Sequence, residues 1–300
     1  MTEVVRGAQP NAGQARRWNG ASGWHWILHR ERHLAQHKDL IADLFDAAEI
    51  AAGERVLDIG CGCGETSITA ARAVACPSPE GITPNWSLHQ EMQHAGRVIG
   101  LDLSAPMLNI ARRLTAQSGM KNITFRRGDA QIYPLRQNSF DIAISSFGVM
   151  FFADPHEAFM NIRKTLPSGG RLTFLCWQDD SQNEMHSIPL RTFERYTPLP
   201  TPDVNCLFDS DYIENLLRKG GWDGVKIEDI RRSAWLGSDV NDVMGYIRSM
   251  PSTERLIAGI GDQKLAHRIM ADIAEKFAEL ERSDGVWVRA AAWLVRAHRI

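Results

Sequence analysis

The segment Val56-Leu57-Asp58-Ile59-Gly60-Cys61-Gly62-Cys63-Gly64-Glu65-Thr66 constrains this chain more than any other, because a short apolar strand runs there through a glycine-rich turn into a helix. Glycine permits the tight φ/ψ values of such a turn and lets backbone N–H groups approach a ligand closely. A glycine-rich strand-to-helix turn does not by itself choose the ligand, since dinucleotide enzymes place G-x-G-x-x-G at the same point. Here the spacing is G-x-G-x-G, with Asp58 two residues ahead of the first glycine. A carboxylate at that place would repel a pyrophosphate and suits the ammonium of a methionine moiety. The pattern therefore favours S-adenosylmethionine over NAD.

The surrounding sequence sets the fold class. From about residue 54 to 177, short apolar runs alternate with helical patterns: RVLDIG then ETSITAARAVA, RVIGLDL then APMLNIARRLTAQSG, NITFRRGDA, FDIAISSFG then HEAFMNIRKTL, and RLTFLCW. That order predicts an α/β chain built on a doubly wound parallel sheet. Ser104 reads as a helix N-cap with Pro106 in the first turn, and Gly119 and Gly169-Gly170 stand where helices should stop. Beyond a polar stretch come a helix near Asp211 to Lys219, a strand near Val225 to Arg231, a helical insertion from about Val240 to Glu281, and a last strand, GVWVRAAAWLVRAHRI. The expected division is an N-terminal helical arm or lid (1–45), a ligand-binding core (46–180), a substrate-side segment with the sixth strand (181–238), a helical lid insertion (239–283) and the seventh strand (284–300). The segment CPSPEGITPNWSLHQEMQHAG reads as a surface loop from its Pro, Gly and Ser content.

Two further acids end apolar strands. Asp102 closes Val98-Ile99-Gly100-Leu101-Asp102, where a carboxylate can accept hydrogen bonds from both hydroxyls of a ribose. Asp129, in Arg127-Gly128-Asp129-Ala130, stands at the carboxyl edge of the third strand, within reach of an adenine amino group. Both support an adenosine ligand without choosing which.

Composition narrows the partners. Lys and Arg number 34 against 36 Asp and Glu, so no overall field gathers phosphate backbones or anionic lipid. Neither nucleic acid nor a membrane is expected as a partner. No stretch approaches the roughly 18 apolar residues of a membrane span, and the first residues carry no apolar signal core. Cys61, Cys63, Cys76, Cys176 and Cys206 show no metal-type spacing, which fits reduced thiols of a cytoplasmic protein. A monomer or a homodimer is expected.

Four motifs in order, LDIGCGCGETS, VIGLDLSAPMLNIAR, FRRGDAQIYPL and FDIAISSFGVMFFADPHEAFMNIRKTLPSGGRLTF, resemble the class I S-adenosylmethionine-dependent methyltransferases related to the ubiquinone/menaquinone-biosynthesis C-methyltransferases. The resemblance covers roughly residues 50 to 180. It implies a Rossmann-like sheet of seven strands, the last antiparallel, with GVWVRAAAWLVRAHRI in that place. It also implies cofactor contacts from Asp58, Gly60, Gly62 and Gly64 at the methionine end, and from Asp102, Leu103 and Met107 at the ribose and adenine. Gly128, Asp129 and Ala130 fall at adenine N6, and Ser145, Ser146 and Phe147 form the floor beneath the sulfonium and the acceptor. The helical insertion and the long loop after the first helix depart from the quinone-ring enzymes, so cofactor and reaction carry over and the quinone substrate does not.

Residues 17–37, RWNGASGWHWILHRERHLAQH, resemble the N-terminal lid of related small-molecule enzymes. Trp18, Trp24 and Trp26 are expected to close over the cofactor, since aromatic faces attract cations. His25, His29, His33 and His37 recur every four residues, a metal-ligand spacing on a helix. Each step advances a helix by about 400°, so the outer pair diverges by about 120° and the four cannot share one ion. No metal is expected. His25 or His29 is instead expected to face the acceptor and hold it or take its proton, with most of the four on the surface. His186 and Arg191, after the fifth strand, are further acceptor-side candidates, while Cys61 and Cys63 read as small turn residues rather than nucleophiles. The overall reading is methyl transfer to carbon, nitrogen or oxygen of a small-molecule acceptor, in biosynthesis of a secondary metabolite or a quinone-like compound. The alternatives are an NAD(P)-dependent oxidoreductase and a non-catalytic S-adenosylmethionine-binding protein.

Overall fold

The computed structural model describes residues 10–75, 96–199 and 206–300. The expected surface loop therefore lies, but for its last residue, outside the described residues. Three helices come first: α1 (Ala12–Asn19), α2 (Ala21–Leu28) and α3 (Arg30–Ala48). Then β1 (Arg55–Ile59), α4 (Glu65–Ala73), β2 (Arg97–Asp102), α5 (Ala105–Ser118), β3 (Ile123–Arg127) and β4 (Ile142–Ser146) follow the predicted alternation. A short 3-10 turn (Val149–Phe151), α6 (Pro155–Thr165) and β5 (Arg171–Trp177) complete the parallel half. Beyond it lie α7 (Glu184–Glu194), α8 (Ser210–Lys219), β6 (Trp222–Gly237), α9 (Val240–Ser249), α10 (Pro251–Ile260), α11 (Gln263–Ala278), the two-residue β7 (Glu281–Arg282) and β8 (Gly285–Arg299).

The sheet runs β3-β2-β1-β4-β5-β8-β6, with β7 hairpinned onto β8. β1 pairs in parallel with β2 on one side and β4 on the other, so the strand order reverses between them. In doubly wound sheets a ligand crevice opens at that reversal, outside the carboxyl ends of the strands. β8 is antiparallel to both β5 and β6, which makes this the expected seven-stranded Rossmann-like sheet with an antiparallel last strand. Its middle is apolar on both faces: Leu57, Ile142, Ile144, Leu172 and Phe174 are wholly buried. Helix ends follow local chemistry, as Ser104 caps α5 through Met107 N–H and Gly119 ends it at φ +68°.

One element is longer than the sequence predicts. β6 covers sixteen residues instead of the stretch from Val225 to Arg231, because its second half pairs with the first half of β8 as a ribbon that outruns β5. Ala234 and Leu236 of β6 and Val286 and Val288 of β8 pack there against Val243, Ile247, Ile269 and Phe277 of the helical insertion. The ribbon thus carries the insertion to the carboxyl end of the sheet. Among the described residues no helix is long and apolar enough to cross a membrane. Leu57→Ala, at a wholly buried position of the central strand β1, is expected to lower unfolding free energy by about 2–5 kcal/mol. The check is a lower urea midpoint with an unchanged slope.

Candidate active site

The glycine turn after β1 is held by backbone contact. Gly60 has φ +66°, and a Cβ placed on it would lie 2.6 Å from the Cα of Gly148, so the chain after β1 and the chain after β4 touch. Ser145 ties the same two segments: its hydroxyl donates to the Ile59 carbonyl at 2.7 Å and accepts from Gly148 N–H at 3.2 Å. Ser145 therefore lies behind the crevice and not in its wall, unlike Ser146 and Phe147, which do line it. Gly64 also differs from expectation. At φ +90° a Cβ there would meet Ala111 at 2.8 Å and Phe125 at 2.9 Å, so this glycine serves the packing of α4 rather than a ligand.

Asp58 is wholly buried beneath the turn and does not line the cleft. The strand aims its side chain at the first turn of α4, where Thr66 Oγ1 (2.7 Å) and Ser67 Oγ (2.5 Å) both donate to Oδ2. Its Oδ1 has no partner among the described residues. Burial pushes the carboxyl up to about 6 against the pull of the two hydroxyls.

The two other acids do face the cleft. Asp102 accepts Ser104 N–H on Oδ1 (2.7 Å) and Gly62 N–H on Oδ2 (2.8 Å). Each carboxylate oxygen keeps a lone pair for a further donor. Burial raises its pKa although these N–H groups oppose the shift. Asp129 accepts from Asn11 Nδ2 (2.8 Å) and Gln131 N–H (3.0 Å) on Oδ1, while the buried Oδ2 has no partner among the described residues. A buried acceptor left unpaired is costly, and a ligand N–H at this place would satisfy it. Gly60, Gly62, Leu103, Met107, Gly128 and Ala130 line the core side of the cleft as well. Phe147 adopts φ +61°, unusual for an aromatic residue, and stacks on Trp177 at 4.0 Å. Such backbone strain concentrates where surrounding structure imposes it, often at ligand sites.

The first three helices roof this crevice. Asn19 brackets the β2 end, donating to the Leu103 carbonyl (3.1 Å) and accepting from Ala105 N–H (2.9 Å), while Ser104 Oγ donates to the Trp18 carbonyl (2.7 Å). Arg30 and Glu65 pair at 2.9 Å across its edge. Asn11 joins the segments after β3 and β4, since its Oδ1 also accepts from Ala153 N–H (2.7 Å) and its amide reaches Gln131 Oε1 (3.3 Å). Sequence reasoning missed Asn11 and Asn19; a lone asparagine carries no pattern, and only their closeness to Trp18 pointed to them. Trp18 and Trp26 line the cleft, but Trp24 is 59% exposed and lies outside it. The helical turn that turns Trp26 inward onto His33 (3.9 Å, stacked) turns Trp24 out.

The cleft opens into a wider chamber walled largely by aromatic side chains. Trp18, Trp26, His33, His37, Phe151 and Trp177 belong to both walls. The four histidines do not share one helix, because α2 stops at Leu28 and α3 restarts at Arg30 with His29 between. His25 lines the chamber and sits 3.1 Å from Ser249 Oγ of α9. His29 reaches the same hydroxyl (3.2 Å) and lines neither space, so it does not face an acceptor. His33 and His37, expected on the surface, are each only 7% exposed and line both spaces. Burial lowers His25 and His37 to about 4 and His33 further, so these imidazoles are neutral at neutral pH. His186 lines the chamber with Nδ1 3.0 Å from Asp180 Oδ1. Arg191 is exposed and lines neither space. The Cys61 and Cys63 thiols are buried and pushed well above their usual range, which removes thiolate chemistry. Among the described residues no group of three or more His, Cys, Asp or Glu is arranged to hold a metal ion.

Residues 50–221, more than half of the chain, match the family described as Methyltransferase domain. The chain belongs to this family. Among its curated relatives, the demethylmenaquinone methyltransferase of Lactiplantibacillus plantarum is 29% identical over 55% of this chain and 63% of its own length. The aklanonic acid methyltransferase DauC of a Streptomyces species is 32% identical over 44% of this methyltransferase and 51% of its own length. The alignment thus spans about half to two thirds of these relatives. The YcgJ protein of Bacillus subtilis has the same fold, with TM-score 0.56 and 17% identity over 88% of this chain and 99% of that one. Phosphoethanolamine N-methyltransferase 2 of Haemonchus contortus, solved with S-adenosyl-L-methionine, superposes with TM-score 0.55 and 16% identity over 97% of this chain and 60% of that one.

Asn11→Ala removes the hydrogen bonds that hold α1 to β3 and the segment after β4. Amide exchange over residues 10–28 is expected to accelerate about tenfold, about 1.4 kcal/mol of local protection, with exchange in β1 and β4 unchanged. Equal acceleration in the strands would contradict a local docking role.

Proposed function

We propose that this methyltransferase transfers a methyl group from S-adenosylmethionine to a small-molecule acceptor through carbon, nitrogen or oxygen. The observation that carries the reading is the shared wall: a crevice built for an adenosyl ligand opens directly into an aromatic chamber large enough for an organic acceptor. The residues fit the cofactor. Asp129 Oδ2 offers an unpaired buried acceptor to the adenine amino group, Asp102 has lone pairs for ribose hydroxyls, and Gly60 and Gly62 leave room for the methionine end. Leu103, Met107, Gly128 and Ala130 would flank the adenine, Ser146 and Phe147 would form the floor, and Trp18 the roof. Asp58, Gly64 and Ser145 act from behind, Asp58 as buried negative charge beneath the turn. When bound, S-adenosylmethionine supplies an electrophilic methyl group. The chain's task is to align the acceptor and exclude water, which converts encounter into a near-unimolecular step.

The helices α1–α3 act as a lid and the α9–α11 insertion as the chamber's outer wall, joined where His25 and His29 meet Ser249. The near balance of charge argues against nucleic acid, and the names of the two relatives, demethylmenaquinone and aklanonic acid methyltransferases, support a small organic acceptor in a biosynthetic role. Cys61, Cys63 and Cys176 are free thiols, which supports a reducing compartment such as the cytoplasm.

Calorimetry with S-adenosylhomocysteine, and with NADH as control, tests the reading. The wild type is expected to bind the former and not the latter. Asp102→Ala is expected to weaken binding by about 1.5–3 kcal/mol, the worth of hydrogen bonds to a charged group. NADH binding, or binding unaffected by Asp102→Ala, would contradict the proposal.

A further inference from the structure

This inference rests on the methyl-transfer reading and extends it to the acceptor's proton. We infer that His37 takes the proton of an acidic hydroxyl on the acceptor and passes it to His186, which Asp180 holds, for release to solvent. The acceptor class that needs such a path is a flat phenol or enol.

Position singles out His37. Its ring lies 5.2 Å from Phe147 and 5.4 Å from Trp177, over the ends of β4 and β5, and it belongs to both the cleft and the chamber. An acceptor presented to a donor in the cleft would meet this imidazole at the wall the two spaces share. His33 also lines both spaces but is stacked flat on Trp26 on the arm side, away from the strand ends. A neutral imidazole offers one nitrogen as acceptor and one as donor, which suits it to receive a hydroxyl proton. Burial that keeps His37 neutral also prevents it from retaining that proton.

The outlet is adjacent. His186 meets the edge of the same Trp177 ring at 6.4 Å that His37 meets at 5.4 Å. Both imidazoles open on a small side pocket that Gln36, Trp177, Asn183 and Met185 help to line, with room for about one water molecule. Asp180 Oδ1 lies 3.0 Å from His186 Nδ1, and its side chain is 57% exposed, so the pair reaches solvent. The contact with His186 holds the Asp180 carboxyl below its usual range. The charged and titratable groups facing this path include His33 beside His37, Arg289 on the side pocket, where it pairs with Glu184 at 3.7 Å, and His25, Tyr246, Asp179 and Asp180 on the chamber.

The step balances simply. The acceptor O–H bond breaks, its electron pair stays on oxygen as the nucleophile, and an N–H bond forms on His37. The imidazolium then loses that proton through water in the side pocket to His186, where the Asp180 carboxylate compensates the charge. His37 is a catalytic residue on this account; His186 and Asp180 act through it.

Alizarin, a flat three-ring diphenol whose visible absorption reports its phenolate, provides a test that needs no turnover. The full chain is loaded with S-adenosylhomocysteine and titrated with alizarin at a pH where the free dye is neutral. After a jump to a pH above the bound dye's ionisation midpoint, the phenolate band of the bound dye is expected to rise about tenfold more slowly in His37→Gln than in the wild type, and more slowly also in Asp180→Asn, with the same final amplitude. Equal rates in the wild type and both variants, or no dye binding to the loaded protein, would overturn the inference. Calorimetry of the same wild-type samples reads S-adenosylhomocysteine binding separately, and its absence would instead strike the methyl-transfer reading.

Discussion

Two backbone segments pass so closely at Gly60 and Gly148 that neither residue could carry a Cβ without displacing the other chain. That contact sits where the sheet reverses its strand order, and the Ser145 hydroxyl bridges the two segments from behind. Because the turns after β1 and β4 are locked together, Phe147 is held in a left-handed conformation and its ring is fixed against Trp177. The floor of the crevice is therefore set by packed backbone rather than by adjustable side chains, which is what a reaction with strict alignment requires.

The roof has a different physical basis. Helices α1–α3 reach the core through hydrogen bonds from Asn11 and Asn19, the Ser104 bond to the Trp18 carbonyl and the Arg30–Glu65 pair, several of them to the residues that line the cleft. Asn11 and a ligand's amino group would share the Asp129 carboxylate, one oxygen each. The side chains the roof contributes, Trp18, Trp26, His33 and His37, form the wall common to cleft and chamber. Ordering of this roof thus completes both spaces together. The insertion carried by the β6–β8 ribbon closes the far side, so the chamber is assembled from three separate parts of the chain.

Much of the core was legible because its signals are local. The G-x-G-x-G turn, the Ser104 cap, and the acids closing β2 and β3 each depend on a few adjacent residues, and the structure places Asp102 and Asp129 on the cleft as those residues imply. What failed depended on direction in three dimensions. Asp58 and Ser145 stand at the expected strand ends but point toward backbone and hydroxyl partners that no linear pattern reveals. The four-residue histidine spacing suggested a largely exposed row, whereas Trp26, Phe147 and Trp177 pack against His33 and His37, contacts that no local pattern reveals. The length of β6 came from pairing with a strand some fifty residues later, which leaves no mark in β6 itself.

A crystal structure of the chain with S-adenosylhomocysteine would test the account most directly. The account predicts the adenine amino group on Asp129 Oδ2, the ribose on Asp102, and the sulfur facing the wall shared by Phe147, Trp177 and His37, with α1–α3 still docked. An adenosyl ligand elsewhere on the protein, or one whose sulfur points away from the chamber, would contradict it.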